Sequence, residues 1–152
     1  MPRTYFIRLA RAADEAAIKA LIRAEHLDPL NVHWQNFLVA EDADAGRIVG
    51  IGQVKPYHSG RELGSLVVVP DRRQSGVGGA LIRALIEHER GPLLLFCLAF
   101  REPYYAKFGF QRCGPRDLPG EFKLKYALGT IFTRLVGRRL IVMQRPNGLR
   151  DV

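Results

Sequence analysis

The stretch Leu66–Ile82, LVVVPDRRQSGVGGALI, decides the fold of this chain. It begins as a continuous apolar run, which is typical of a strand buried on both faces. After one proline it places three glycines at the beginning of a pattern with helical spacing. The apolar positions of that helix are Val77, Leu81, Ile82, Leu85 and Ile86. Glycines at a helix N-terminus let backbone N–H groups approach an anion, which the positive end of the helix dipole favours.

The strand of this stretch belongs to a strand–helix–strand unit. The apolar segments 62–69 and 92–98 flank the helix, so a right-handed crossover between parallel strands is expected. Further strands are predicted at 4–10, 35–42, 47–57, 109–114 and 138–144, and further helices at 11–27, 103–108 and 123–137, with a turn or short helix at 31–34 and a loop at 117–122. We predict a three-layer α/β/α fold of the α/β class, with two N-terminal helices. Its mixed, centrally parallel sheet should have about six to seven strands, in one domain over residues 1–152.

Composition excludes several classes of protein. The 152 residues are 47% hydrophobic and 25% charged, as in a globular domain. No apolar run approaches the ~20 residues of a membrane helix, and no signal peptide is recognisable, so we expect a cytoplasmic protein without a membrane partner. Cys97 and Cys113 have neither metal-binding nor redox spacing. We therefore predict two reduced thiols and no metal.

The positive charge is concentrated near the C-terminus. The net charge is +8, and residues 112–152 hold nine basic and three acidic side chains. Such asymmetry fits a nucleic-acid surface, a site for a polyanionic ligand, or simply a solvated face. The segment lacks the aromatic–basic interleaving and the recognition helix of nucleic-acid binders. We therefore expect no nucleic-acid partner.

Two familiar phosphate-binding motifs do not fit the glycine loop. A Walker loop needs Gly-Lys-Ser/Thr, whereas this chain has Gly-Gly-Ala. A dinucleotide fingerprint needs a third glycine where Leu81 stands, and it expects the motif after the first strand. The remaining pattern is Arg73-x-x-Gly76-x-Gly78 after a buried strand.

This pattern resembles the acetyl-CoA signature of the GNAT N-acetyltransferase superfamily, Arg/Gln-x-x-Gly-x-Gly/Ala after a Val-x-Pro strand end. The segment YYAKFGF at 104–110 is similar to the second signature of that superfamily, Tyr-x-x-x-Gly-Phe. The predicted order of elements also matches, so the resemblance covers nearly the whole chain. It implies an enzyme that moves the acetyl group of acetyl-CoA, as co-substrate, to a primary amine of a small molecule or amino acid.

The resemblance also implies the donor-binding residues. The backbone of the central strand would hold the pantetheine arm and polarise the thioester carbonyl, and the glycine loop would hold the pyrophosphate, with Arg73 at its edge. The strand residues are Leu66, Val67 and Val68, and the loop residues are Gln74, Ser75, Gly76, Val77, Gly78 and Gly79. The family often places an asparagine before the helix that carries the signature tyrosine, here the predicted helix 103–108 with Tyr104 and Tyr105. This chain has FREPYY there.

Two catalytic residues follow from the resemblance. Tyr105 stands at the family position of the general acid, with Tyr104 as the alternative if the register is shifted by one. Glu62, at the beginning of the central strand, is the candidate general base, although it could equally be a solvated strand end. Glu41 is the rival, a water relay is another route, and the less favoured candidates are His33, His58 and Tyr57.

The acceptor and the assembly stay open. Trp34 and Phe37 could line the acceptor side, or they could be core residues, which we favour for Phe37. Protein or peptide N-acetylation is the alternative substrate class. A non-catalytic acetyl-CoA sensor is the alternative from another class. The chain could be a monomer or a homodimer.

Overall fold

The computed structural model describes residues 4–146, which form seven strands and four α-helices. The strands are β1 (Tyr5–Leu9), β2 (Phe37–Asp42), β3 (Ile48–Tyr57), β4 (Gly60–Val68), β5 (Leu93–Leu98), β6 (Gln111–Arg112) and β7 (Leu140–Arg145). The helices are α1 (Glu15–Ala24), α2 (Val77–Glu89), α3 (Glu102–Ala106) and α4 (Gly120–Leu135).

The strands form a mixed sheet in the order β1-β2-β3-β4-β5-β7-β6. Four neighbouring pairs, β1/β2, β2/β3, β5/β7 and β6/β7, are antiparallel. The pair β4/β5 is parallel, with Glu62 opposite Leu94. The predicted α/β fold with a mixed, centrally parallel sheet of six to seven strands is therefore confirmed.

Contacts divide the chain into two compact units. The first comprises the chain up to Lys55 together with Leu63–Glu89, and the second comprises Pro56–Glu62 together with the chain from Arg90 onward. Both β3 and β4 contribute residues to each unit. The single domain over residues 1–152 stays a prediction.

The first unit has its core between α1, α2 and the strands. Ile18 and Ile22 of α1 are buried together with Phe37, Val39 and Ile51. From α2, the predicted stripe of Val77, Leu81, Ile82 and Leu85 is buried. In α1 the inward side is centred on Ile18 and Ile22, and Ala17 and Ala24 are exposed.

Helix α1 is shorter than the predicted 11–27. The Asp14 carboxylate accepts a hydrogen bond from the Arg11 N–H at 2.7 Å and also binds the guanidinium of Arg8. These contacts hold residues 12–14 in a 3-10 turn before the helix begins. At the other end His26 has a left-handed φ of 53°, which an α-helix does not accommodate. The predicted second N-terminal helix is only a 3-10 turn, Trp34–Asn36.

The second unit packs α4 against β7. Phe122 and Val142 are buried with Leu118, and Tyr57 and Phe96 pack against them. The predicted loop 117–122 was partly wrong, since α4 already begins at Gly120. The carbonyl of Pro119 accepts hydrogen bonds from the N–H groups of Phe122 and Lys123, which starts the helix three residues earlier. Within residues 4–146, no helix is long and apolar enough to cross a membrane.

Candidate functional site

The loop between β4 and α2 has an unusual backbone. Gln74 and Gly76 both have left-handed φ angles, 62° and 88°. A Cβ at Gly76 would meet no atom within 4 Å, so the approach to this loop is open. The first intrahelical bond of α2 joins the Ala80 N–H to the Gly76 carbonyl at 3.0 Å. Helix geometry leaves the N–H groups of the preceding residues, Val77 to Gly79, without intrahelical partners.

Arg72, which sequence reasoning missed, anchors this loop within the first unit. Its guanidinium is buried and lies 2.6 Å from the Asp42 carboxylate. The pKa of Asp42 is lowered, because it accepts hydrogen bonds from the N–H groups of Ala45 and Asp44 and pairs with Arg72. Arg72 and Arg73 are adjacent at the beginning of the loop. The sequence around them gives no signal that Arg72 is the one that is buried.

The side chains of Arg73 and Ser75 bond within the protein. Arg73 donates to the Val68 carbonyl at 3.1 Å and pairs with Glu25 at 2.6 Å. The Ser75 hydroxyl donates to the Arg72 carbonyl. The loop therefore presents mainly backbone groups to a ligand. An anionic ligand would have to compete with Glu25 for the Arg73 guanidinium.

Strand β4 is distorted immediately before the residues predicted to hold the donor arm. Ser65 has a left-handed φ of 52°, which is rare in a strand. Its hydroxyl accepts a hydrogen bond at 2.8 Å from the amide of Gln53, which is completely buried. Val67 points into the core, whereas Leu66 and Val68 are half-buried. The Val67 side chain is therefore part of the core, and only its backbone is left for a ligand.

Tyr105 lies on α3 in the second unit. Its ring makes edge contacts with Tyr104 and Phe110, at centroid distances of 5.2 and 6.3 Å. Burial raises the pKa of Tyr105 to about 12. Among residues 4–146, no group forms a hydrogen bond with its hydroxyl. The side chain is thus a protonated phenol at neutral pH, and the described residues do not engage its hydroxyl.

Glu62 is a buried carboxylate rather than a solvated strand end. It is only 5% exposed, and its Oε2 atom lies 2.6 Å from the ammonium of Lys125 on α4. The ammonium also donates to the Tyr57 hydroxyl at 3.1 Å. Burial acts to lower the pKa of Lys125, but Glu62 and Tyr57 outweigh it and the pKa is raised. Oε1 of Glu62 has no hydrogen-bond partner in the described part of the chain.

The other candidate bases lie in different surroundings. Glu41 bonds the guanidinium of Arg8 at 2.6 Å, and Arg8 also pairs with Asp14. Glu41 is therefore part of an ion network that holds β1 and the turn before α1. His33 and His58 are exposed.

The remaining residues of interest are mainly structural. Phe37 belongs to the core, as favoured, and Trp34 is partly buried and packs against the same core. Both cysteines are free thiols, as expected. Burial raises the pKa of Cys97 to about 11 and also raises that of Cys113, so neither is a ready nucleophile. Residues 4–146 hold no cluster of three His, Cys, Asp or Glu side chains that could bind a metal.

The family follows from comparison with known domains. A model of the acetyltransferase (GNAT) domain matches residues 33–112, which is more than half of the chain. The chain belongs to the GNAT acetyltransferase family. The matched region contains β4, the glycine loop, α2 and α3, which carries Tyr105. The predicted family is therefore confirmed.

Solved GNAT structures share the fold. N-acetylglutamate synthase from Neisseria gonorrhoeae, complexed with coenzyme A and N-acetyl-glutamate, is 25% identical with a TM-score of 0.74. That match covers 93% of this chain and 35% of the enzyme, so the chain spans about a third of the enzyme's length.

Two further structures match along their whole length. The Rv2747 protein of Mycobacterium tuberculosis, in complex with CoA, is 22% identical with a TM-score of 0.72, over 93% of this chain and 98% of that one. The ribosomal-protein-S18-alanine N-acetyltransferase of Escherichia coli is 17% identical with a TM-score of 0.66, over 97% of each chain. No curated protein matches the sequence significantly.

Proposed function

We propose that this chain is an acetyl-CoA-dependent N-acetyltransferase that transfers the acetyl group directly to a primary amine. The observation that carries the proposal is the open, left-handed glycine loop at the N-terminus of α2, in a chain of the GNAT family. The thirteen-residue helix supplies a positive end for a pyrophosphate. When bound, acetyl-CoA supplies an activated thioester.

The donor is held by two stretches of the first unit. Backbone N–H groups from Gln74 to Gly79 bind the pyrophosphate, with the Arg73 guanidinium at the edge. The backbone of Leu66, Val67 and Val68 holds the pantetheine arm. A fixed N–H group of this strand stabilises the oxyanion that forms when an amine attacks, an effect worth about 3 kcal/mol per donor.

Tyr105 is the general acid in this proposal. The amine nitrogen forms a bond to the acetyl carbon, the carbon–sulfur bond breaks, and the thiolate takes the phenolic proton of Tyr105. The attacking nitrogen, which is cationic after bond formation, then gives its extra proton to the Tyr105 phenolate, so that the neutral amide and the phenol are both formed. The raised pKa of Tyr105 keeps that proton in place until the thiolate appears. Burial raises the pKa of both cysteine thiols, which argues against an acetyl-cysteine intermediate and supports direct transfer.

Glu62 is the general base in this proposal. The acceptor arrives as an ammonium and must lose a proton before it can attack. Lys125 holds Oε2 of Glu62, and Oε1 takes that proton directly or through a water. Glu41 is the weaker candidate because it bonds Arg8.

The acceptor class proposed is a small-molecule or amino-acid amine. Its support is the Neisseria gonorrhoeae enzyme, whose complex contains N-acetyl-glutamate and which is 25% identical. Protein or peptide acetylation is the second candidate, favoured only by the shared fold with the Escherichia coli enzyme. We place the reaction in the cytoplasm.

A turnover screen tests the proposal. The purified chain is incubated with acetyl-CoA and, separately, with amino acids, polyamines, aminoglycosides and peptides, while release of free coenzyme A thiol is measured. We expect acetylated product with at least one small amine, confirmed by mass spectrometry. Binding of acetyl-CoA without turnover on any acceptor would instead identify a sensor module.

A further inference from the structure

One side of α4 is covered with exposed apolar side chains. Six large residues share it, each 58–80% exposed, and we refer to them as the α4 stripe. They are Leu124, Leu128, Ile131, Phe132, Leu135 and Val136. Spacings of three and four residues place them on one side of a helix with 3.6 residues per turn. The opposite side of α4 carries the buried Phe122 and packs against β7.

A helix that is apolar on both sides is normally buried on both. Six large exposed side chains on one side of a helix make an apolar surface on the order of several hundred Å², a size that often marks an interaction site on a monomer. The internal packing of α4 is complete without them, because Phe122, Tyr126 and Val142 already form its contact with the core. Within residues 4–146 the α4 stripe is therefore left exposed.

Cations surround the α4 stripe. Lys123 and Arg134 lie three helical turns apart along one of its edges, and Arg138 and Arg139 follow the end of the helix. All four are exposed, and their side chains form no ion pair within residues 4–146. The nearby acidic residue Glu121 accepts hydrogen bonds from the N–H and hydroxyl of Ser59, at 2.8 and 2.6 Å.

We propose that the α4 stripe docks on the surface of an anionic lipid bilayer, with the helix axis parallel to that surface. Apolar side chains enter the boundary between headgroups and acyl chains while surrounding lysines and arginines meet lipid phosphates. This use accounts for the positive charge near the C-terminus, which the proposed acetyl transfer leaves unused. The expectation of no membrane partner rested on the lack of a spanning segment, and the proposal replaces it for surface binding.

Charge favours the bilayer over a second copy of the chain. Pairing two α4 stripes would bring the cations of one copy near those of the other. The one carboxylate on α4, Glu121, is already bonded to Ser59. A nucleic acid would satisfy the cations but would leave six apolar side chains in water. Only an anionic, apolar surface satisfies both features.

Vesicle flotation tests the proposal. Binding is compared between vesicles of phosphatidylcholine mixed with phosphatidylglycerol and vesicles of phosphatidylcholine alone. We expect the chain to float only with the anionic vesicles. The variant Leu128→Gln/Leu135→Gln should lose this binding, whereas Leu9→Gln/Leu30→Gln, at equally exposed sites outside α4, should keep it. Thermal melts confirm that both variants are folded.

The charge component has its own variant. Lys123→Gln/Arg134→Gln should weaken binding on the order of 25-fold, since each cation near an anionic surface contributes about fivefold. The control Lys107→Gln/Arg23→Gln should change it little. Flotation that survives in the Leu128→Gln/Leu135→Gln variant would overturn the proposal. The proposal would also be overturned if the unaltered chain did not float and sedimentation analysis showed a dimer that Leu128→Gln/Leu135→Gln dissociates.

Discussion

Tyr105 carries the sharpest catalytic expectation at the scale of single residues. Tyr105→Phe keeps the ring and its contacts with Tyr104 and Phe110 but removes the proton donor. Loss of general acid catalysis typically costs ~10²- to 10⁴-fold. We expect a fall in kcat of this size with little change in the Kd of acetyl-CoA, measured by steady-state kinetics and calorimetry.

Tyr104→Phe is the matched control for this substitution and should retain most of the turnover. A larger effect at Tyr104 would show that the acid was assigned one position too far along α3. The pH profile gives a second check. Because the pKa of Tyr105 is raised to about 12, its phenol stays protonated even when the pH exceeds the pKa of an ordinary tyrosine. An alkaline fall in kcat well below pH 10 that vanishes in Tyr105→Phe would contradict the assignment.

Substitutions in the ion pair between Glu62 and Lys125 test its contribution to stability and, separately, the catalytic role of Glu62. Lys125→Met leaves the buried Glu62 carboxylate without its cation, and removing one partner of a buried pair costs about 3–5 kcal/mol of unfolding free energy. Glu62→Gln in the same chain removes the uncompensated charge. We therefore expect Glu62→Gln/Lys125→Met to be more stable than Lys125→Met alone, as measured by chemical denaturation.

Turnover follows a different pattern in these variants. If Glu62 is the base, Glu62→Gln should lose about 10²-fold or more in kcat while remaining folded. Glu41→Gln is the comparison, because Glu41 bonds Arg8 and we expect no catalytic loss from it beyond its effect on stability. Full activity of Glu62→Gln would assign Glu62 a structural role and move the base to a water relay.

At the scale of secondary structure, local patterns were the predictable part. The buried stripe of α2 and the glycine loop are encoded within consecutive residues, and both were found where the sequence put them. The beginning of α1 depends on the Asp14 side chain, and that of α4 on the Pro119 carbonyl. Such capping interactions do not appear in hydrophobic periodicity, so both helix beginnings were misplaced.

The surroundings of the candidate base could not be predicted for a related reason. Glu62 stands at the beginning of a strand, where a carboxylate is usually solvated. Its ion-pair partner, Lys125, lies 63 positions further along the chain. The α4 stripe was hidden in the same way, since periodicity identifies an apolar side of a helix but not whether the fold covers it.

Gly50 tests the packing of α2 against β3. A Cβ at this position would lie 2.9 Å from methyl groups of both Leu81 and Val77, two fully buried residues of the α2 stripe. Neither can move without disturbing the core. Gly50→Ala should lower the unfolding free energy by about 1–3 kcal/mol, the usual cost of overpacking, in a urea titration.

Gly120→Ala is the control at a position with free space. Nothing lies within 4 Å of a Cβ there, and Gly120 is the first residue of α4. Alanine favours a helix over glycine by up to about 1 kcal/mol. We expect unchanged or slightly increased stability. A stable Gly50→Ala variant would mean that α2 packs less closely on β3 than described.

At the scale of the whole molecule, net charge complicates any measurement of donor binding. A chain of charge +8 attracts polyanions such as acetyl-CoA without a specific site. Substitutions in the glycine loop must therefore be compared with the same charge change elsewhere. Gly120→Asp provides it, because it also adds a carboxylate at an open helix N-terminus.

Acetyl-CoA should stabilise the whole chain through the glycine loop. At about 100 times its Kd, a ligand adds ~2.7 kcal/mol, which corresponds to a rise in Tm of roughly 5–10 °C for a chain of this length. In Gly76→Asp the new carboxylate faces the phosphates, so the rise should disappear in a thermal-shift titration. Gly76→Asn has nearly the same shape and tolerates the left-handed φ of 88° better than most residues, so it should keep part of the rise. Gly120→Asp should keep nearly all of it. Equal loss in Gly76→Asp and Gly120→Asp would mean that acetyl-CoA responds to net charge alone, and the phosphate site would not be at α2.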